Sequence, residues 1–362
     1  MQKYHIDPDI KKAETLPASF YKDDTVFEYL REKLFTKTWH WIGDRNLVPL
    51  STSVYPFLLL ENFLDEPLLL IRNKENQLRC LSNVCTHRGN IVVQNPGQVR
   101  DLSCLYHGRR FDLDGSFKSM PEFKQAENFP RPCDSLREFA SVEWGPFIFT
   151  GLEPAFDFNA VIEQMNERIG FLPLSEFKLD KSSSKDYLIN CHWALYCDNY
   201  LEGFHIPFVH PDLNAVLDYG NYKSELYDYC NLQIGYAQSG EEVFDLPADH
   251  IDHGKNVAAY YYWVFPNMMF NFYPWGLSIN IVRPINKHKT KVSFVTYVYD
   301  DSKRQSGAGA LLDKVEREDE FVVEGVHKGL QSRYYKAGRF SPTMERGVHH
   351  FHRLLAKFVS MD

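Results

Sequence analysis

The chain has 362 residues, and none of its apolar runs reaches the roughly 18 residues that a membrane span needs. The longest, Pro56 to Leu60 and Tyr260 to Pro266, are the size of strands. The segment Met1 to Phe20 is charged and lacks an apolar core. No secretion signal is read there, and the expected compartment is the cytoplasm. Basic residues are in deficit, 40 Lys and Arg against 48 Asp and Glu, for a net charge of −8. That argues against a nucleic-acid binder, which needs a basic face. Internal repeats and low-complexity tracts are missing, and an apolar share of 44% with a charged share of 24% is globular composition, which excludes disordered, collagen-like and fibrous classes. The seven cysteines are an odd number. Without a secretion signal they suggest reduced thiols or metal ligands before disulfides. Aromatic residues are abundant, with 21 Tyr and 27 Phe, which implies a thick core or an aromatic-lined pocket.

The chain opens with a helical stripe, Val26, Phe27, Leu30, Leu34 and Phe35, with Asp23 or Asp24 as its N-cap. From about Trp39 short apolar runs alternate with turn-formers. Val54 to Leu60, Pro67 to Arg72, the turn Asn73 to Asn76 and then Gln77 to Leu81 predict antiparallel hairpins. This texture lasts to Phe149, and Gly151 to Pro154 reads as a boundary. A helix over Asn159 to Ile169, a polar segment Leu179 to Lys185 and a longer helix over Trp193 to Phe204 follow. Ala258 to Asn286 and Lys289 to Asp300 alternate as strands, and Leu311 to Gln331 has helical period. The expected class is α+β. An all-β domain at 39–153 is inserted between an N-terminal helical segment, 1–38, and an α+β domain at 154–362.

Two clusters of chemistry-bearing residues stand out. The first is Cys85-Thr86-His87, then sixteen residues, then Cys104-Leu105-Tyr106-His107, each pair followed by a glycine, Gly89 or Gly108. Zinc modules prefer Cys pairs that share one ion. Here each loop offers one Cys and one His. That suits a Rieske 2Fe–2S centre, with one iron on Cys85 and Cys104 and the other on His87 and His107. A Cys2His2 zinc module is the alternative. Cys80 and Cys133 fall outside the pattern and are expected to be buried in apolar packing.

The second cluster is Glu202, His205 and His210. On an unbroken helix, residues five apart diverge by about 140°. Pro207 is read as the bend that turns His210 back toward His205. Glu202 and His205, three apart, would share a helix face. Two histidines at an open ferrous site want an anionic partner. Val315, Asp319, Val322, Val326 and Leu330 form one apolar stripe at spacings 4, 3, 4 and 4, with Asp319 its only charge. A carboxylate on an apolar face is costly unless paired or bound to metal, so Asp319 is the third candidate ligand. Glu316, Glu318, Glu320 and Glu324 fall off the stripe and are expected to be solvated. His192, His349, His350 and His352 are read as structural or surface residues. The aromatic run Tyr260 to Phe265, with Phe270, Phe272, Tyr273 and Trp275, is read mainly as core, with one or two rings lining a pocket.

On these motifs the sequence resembles Rieske non-heme iron oxygenases of the α (terminal oxygenase) subunit type, from Trp39 to about His352. Asp198-Asn199-Tyr200-Leu201-Glu202-Gly203 and Phe265-Pro266-Asn267-Met268-Met269 are similar to the choline monooxygenase-like branch, which oxidises quaternary amines. The resemblance implies a Rieske β domain beside a helix-grip catalytic domain with an antiparallel sheet. It implies a 2Fe–2S cluster, a mononuclear Fe(II), and an NAD(P)H-dependent flavin/iron–sulfur reductase as electron source. It also implies a homotrimer, in which His107 of one subunit meets Glu202 of the next and the electron crosses there. Glu202 then takes a catalytic role as the bridge, and Asn199 is a candidate for supporting the iron site or simply for the helix surface. O2 and a small substrate such as choline, carnitine or glycine betaine would complete the reaction. An aromatic ring-hydroxylating dioxygenase or O-demethylase is the alternative substrate reading. A non-catalytic electron-transfer or ligand-binding protein is the alternative of another class. One departure is Arg109, where the family usually has Trp after Tyr-His-Gly.

Overall fold

A computed structural model describes residues 4–238, 241–304 and 312–360. It divides into two compact units. One is Thr36–Phe156; the other joins Met1–Phe35 to Asp157–Asp362.

The first unit is all β. Its strands are β1 (His40–Asp44), β2 (Ser53–Leu59), β3 (Glu66–Arg72), β4 (Leu78–Ser82), β5 (Gly97–Gln98), β6 (Leu102–Ser103), β7 (Arg110–Phe111), β8 (Phe117–Ser119), β9 (Glu138–Trp144) and β10 (Phe147–Gly151). Seven form one sheet in the order β1-β10-β9-β4-β3-β2-β5, and β6-β7-β8 form a small second sheet. The β3–β4 hairpin follows from its turn chemistry. The Asn73 side chain accepts from the Gln77 N–H at 2.7 Å, and Asn76 takes a φ of 61°, a conformation Asn tolerates better than most residues. Val54, Leu69, Ile71, Leu81 and Phe111 pack into one core, from which Cys85 and Cys104 emerge. Cys80 is buried, but Cys133 is exposed, in the one-turn segment Pro132–Asp134 rather than in apolar packing. That turn is capped by the buried carboxylate of Asp134, which accepts from the Arg131 N–H at 2.7 Å, while Cys133 stays on the solvent side.

Arg109 occupies the position of the missing Trp and does its packing with a charge. It is 2% exposed, its guanidinium donates to Asp134 Oδ1 at 2.8 Å, and it lies 5.1 to 5.7 Å from the ring centres of Phe111, Phe117 and Phe129. Cation–π contact and an ion pair thus replace the apolar burial of an indole.

The second unit carries helices α1 (Ala18–Lys22), α2 (Asp24–Lys33), α3 (Phe158–Ile169), α4 (Trp193–Tyr200), α5 (Ile206–Val209), α6 (Pro211–Val216), α7 (Leu312–Gly329) and α8 (Arg346–Val359). Its strands are β11 (Lys178–Ile189), β12 (Lys223–Leu226), β13 (Cys230–Tyr236), β14 (Val257–Val264), β15 (Met268–Tyr273), β16 (Gly276–Asn286) and β17 (Lys289–Val298). They form one antiparallel sheet in the order β11-β17-β16-β15-β14-β13-β12. The expected N-cap is made by Asp23, which accepts from the Thr25 N–H, and α3 is capped in the same way by Asp157, which accepts from the Asn159 N–H. Both faces of the central strands are covered. Tyr262 reaches the Met165 carbonyl of α3, while its neighbour Trp263 packs 5.1 Å from Phe351 of α8. Strands buried on both faces read as continuous apolar runs, which is why β14 to β16 carry so many aromatics.

The polar segment Leu179 to Lys185 is part of β11, an edge strand with a bulge between Asp180 and Lys185. An edge strand has one side open to water, so its polar residues do not prevent pairing on the other. The Trp193 helix differs from expectation: it stops at Tyr200 rather than Phe204, for a reason that belongs to the site. Leu311, at the start of the expected last helix, lies outside the described residues.

Replacing Asp134 with Ala leaves the Arg109 guanidinium buried without its anion. A loss of about 3–5 kcal/mol is expected, read by chemical denaturation of the purified protein.

Candidate active site

In the first unit, two loops close in the same way. The Cys85 N–H donates to the Asn90 carbonyl at 2.8 Å and the Gly89 N–H to the Cys85 carbonyl at 3.0 Å. The Cys104 N–H donates to the Arg109 carbonyl at 2.8 Å and the Gly108 N–H to the Cys104 carbonyl at 3.0 Å. Gly89 and Gly108 have φ of 70° and 73°, the left-handed region that glycine enters without strain. The loops bring the rings of His87 and His107 to 4.8 Å between centres, half-buried at the tips, while both cysteines lie buried behind them. Asn90 Nδ2 donates to Cys104 Sγ at 3.6 Å, a hydrogen bond the sequence reading did not anticipate.

Among the described residues, the set of His, Cys, Asp and Glu whose ligand atoms all lie within 4.8 Å is His205, His210 and Asp319. In the first unit the two thiols lie buried and the two imidazoles stand together at the loop tips, an arrangement that suits a two-iron cluster held by unlike pairs better than one shared zinc ion.

The second site is built by interrupting a helix twice. After α4 ends at Tyr200, the Glu202 carboxylate accepts from the backbone N–H groups of Phe204 and His205, capping a new turn. Gly203 is required there, because a Cβ would stand 2.7 Å from the Tyr222 ring. Glu202 thus meets His205 across a capping turn and not along one helix face. Pro207 lies in the first turn of α5, where its missing N–H costs little, and Ile206 stays helical. The break falls instead at His210, with φ −119° and ψ 74°, immediately before Pro211. A residue before proline avoids the helical region, so Pro211 is the bend that the reading assigned to Pro207.

The two rings now converge, 5.1 Å between centres. His210 Nε2 lies 3.0 Å and His205 Nε2 3.5 Å from Asp319 Oδ1. The opposite ring nitrogens are each held by a carboxylate: His205 Nδ1 by Glu202 Oε1 and His210 Nδ1 by Glu318 Oε2, both at 2.7 Å. This fixes both Nε2 atoms as metal-facing acceptors, the usual arrangement around a bound ion. Burial works to lower the His210 pKa, but the carboxylates of Asp319 and Glu318 outweigh it and hold it above the ordinary value. Asn199 Nδ2 donates to Asp319 Oδ1 at 2.6 Å, which places it in support of the triad rather than on the helix surface.

The α7 helix is turned from the expected phase. Glu316, Val323, His327 and Leu330 are buried, whereas Val326 is 45% exposed. Glu316 and Glu318, both expected in solvent, face the site. The inward side of α7 is polar because it holds functional groups, so an apolar stripe could not locate it. Burial and the charge of Asp319 push the Glu316 carboxyl well up, against the opposing hydrogen bond from Tyr196.

The triad borders a cavity of about 760 Å³, mouth included, walled by Tyr196, Tyr200, Tyr222, Tyr261 and Tyr273. Tyr261 and Tyr273 are the pocket-lining members of the aromatic run; Tyr260 and Tyr262 lie on the other face of β14. His192, His349, His350 and His352 are structural, as expected. His349 bonds the Asp7 carbonyl, His350 bonds Asn231, and His352 bonds the Leu16 N–H and Asp198. His192 caps α4, and burial holds its pKa down at about 3.

Comparison with known proteins assigns a domain family to the region that carries each of these clusters. Residues 58–130 match the Rieske [2Fe-2S] domain, and residues 175–361, more than half the chain, match the ring hydroxylating alpha subunit (catalytic domain). A chain that joins a Rieske cluster domain to such an iron domain is a Rieske non-heme iron oxygenase. This protein belongs to the ring-hydroxylating alpha subunit family, with a Rieske 2Fe–2S cluster and a mononuclear iron as its cofactors. Choline monooxygenase of Arabidopsis thaliana is 29% identical over 96% of this chain and 84% of its own length. The carnitine monooxygenase oxygenase subunit of Escherichia coli (strain K12) is 26% identical over 96% and 94%. A crystal structure of a quaternary ammonium Rieske monooxygenase with gamma-butyrobetaine shares the fold at a TM-score of 0.76, 23% identity and 99% coverage of both chains. Naphthalene 1,2-dioxygenase with indole bound does so at 0.71, with 17% identity over 96% and 92%.

Glu318→Gln keeps all three candidate ligands but weakens the acceptor on His210 Nδ1. Affinity for ferrous iron should fall about 10- to 100-fold, measured by metal titration of the apoprotein.

Proposed function

We propose that this chain is the oxygenase component that hydroxylates or N-dealkylates a small quaternary amine. It would use O2 and electrons from an NAD(P)H-dependent flavin/iron–sulfur reductase. The observation that carries the reading is the placing of the His205, His210 and Asp319 triad against a cavity walled by five tyrosines. Tyrosine faces attract a quaternary ammonium by cation–π contact, each worth about 0.5–2 kcal/mol. The similarity to choline and carnitine monooxygenases supports the same substrate class.

In this reading His205, His210 and Asp319 hold the mononuclear iron, and Cys85, His87, Cys104 and His107 hold the cluster. When bound, the iron supplies O2 activation at open positions, and the cluster supplies single electrons. Glu202 and Glu318 fix both imidazole tautomers, and Asn199 orients the Asp319 carboxylate. The tyrosine wall holds the cation and excludes water. Glu202 keeps one oxygen on His205 and its other on the backbone of the capping turn. A homotrimer would bring His107 of the partner subunit to hydrogen-bond with Glu202, the bridge between the two sites.

The direct test is electron paramagnetic resonance of the nitric oxide adduct of the iron-loaded enzyme, titrated separately with choline, carnitine, glycine betaine and benzoate. A signal perturbed by quaternary amines alone is expected. Perturbation by benzoate alone would overturn the substrate class, and absence of a nitrosyl signal would overturn the open iron site. Asp319→Ala should abolish turnover while the visible 2Fe–2S spectrum persists. Glu202→Gln should retain both metals yet lose most substrate-coupled turnover, scored by product formed per NAD(P)H consumed.

A further inference from the structure

One carboxylate in the cavity is not used by the triad or by its supports. Glu316 stands one helical turn before Asp319 on α7, is 1% exposed, and lines the same cavity. Its Oε2 accepts a hydrogen bond from the Tyr196 hydroxyl. Its Oε1 is buried with no hydrogen-bond partner. A buried acceptor left unpaired costs about 1–3 kcal/mol, so its retention beside an open cavity points to a ligand. The ligand's chemistry follows from two features. A quaternary nitrogen has no N–H to donate, so it needs an anion nearby and no directed hydrogen bond, and its positive charge favours the carboxylate form of Glu316 that burial alone disfavours. And among the described residues that line the cavity there is no Lys or Arg, whereas Glu202, Glu316 and Asp319 are all there. A carboxylate on the substrate would find no guanidinium or ammonium to pair with there, and it would lie near Glu316, the acidic lining group engaged by neither the triad nor its supports.

We infer that Glu316 is the countercharge for the substrate's quaternary nitrogen, and that the site takes a quaternary ammonium alcohol without a carboxylate in preference to a betaine-type zwitterion. This rests on the quaternary-amine reading above and narrows it.

The test uses the iron-loaded enzyme and three probes. These are choline, its neutral isostere 3,3-dimethylbutan-1-ol, in which carbon replaces nitrogen, and L-carnitine. Dissociation constants come from titrating the nitrosyl signal. The wild type should bind choline at least about tenfold more tightly than either other probe, the size of one close charge interaction. In Glu316→Gln the preference for choline over the neutral isostere should fall toward unity, with the nitrosyl and cluster spectra unchanged. Glu316→Asp, which keeps the charge, should keep part of that preference. A purely structural carboxyl would weaken all probes alike and leave their ratio intact; that result would overturn the assignment. Carnitine binding to the wild type as tightly as choline would overturn it too, without need of any variant. In both cases the quaternary-amine reading would stand. If only benzoate perturbs the signal, that reading fails and Glu316 loses its role with it.

Discussion

The candidate iron site depends on a single carboxylate oxygen being reached from two directions. Asp319 Oδ1 stands 3.0 and 3.5 Å from the two Nε2 atoms and accepts the Asn199 amide at 2.6 Å. Two histidines five residues apart can share it only if the chain leaves the helix before the first and again at the second. Glu202 with Gly203 accomplishes the first departure and Pro211 the second. Once the rings point inward, Glu202 and Glu318 stop them from turning. The scaffold behind them is tied just as firmly. Asp198, on the last turn of α4, is bonded to His352 of α8 at 2.9 Å and to Tyr21 of α1 at 3.0 Å. This is why the N-terminal segment belongs to the catalytic unit although the cluster unit intervenes in sequence.

The Cys85, His87, Cys104 and His107 set and the His205 and His210 pair were legible from spacing, because short-range order survives in a linear chain; Asp319 was reached only through a stripe whose phase was off. The hairpins of the cluster unit were legible for a similar reason: Asn73 to Asn76 sets a turn by local hydrogen bonds alone. What was not legible depended on contacts between distant segments. The α7 phase was misjudged because Glu316 and Glu318 face inward, bonded to Tyr196 and His210, more than a hundred residues away along the chain. Hydrophobic periodicity locates a helix face only where that face is apolar. Pro207 drew the bend because it lies between the histidines. Pro211 lies just outside them, yet proline acts on the residue before it, and that residue is His210. Cys133 was expected inside by residue type, but the capped turn at Asp134 leaves it in solvent.

Arg109 shows how a family position can change its chemistry and keep its place. An indole contributes area; here the guanidinium is enclosed by three phenylalanine rings and satisfied by Asp134. The loops on either side keep matching closure distances, so the substitution is absorbed behind them.

The two borders of the large sheet carry a consequence for how copies of this chain can meet. One border is β11, bulged at Asp180 to Lys185 and studded with Lys, Ser and Asp; the other is β12, four residues long. A bulged, charged border and a very short one both resist the addition of a further strand. Sheet continuation from molecule to molecule is thereby disfavoured, which guards against fibre-like stacking. At these two borders, contact between copies is left to side-chain surfaces rather than to backbone pairing.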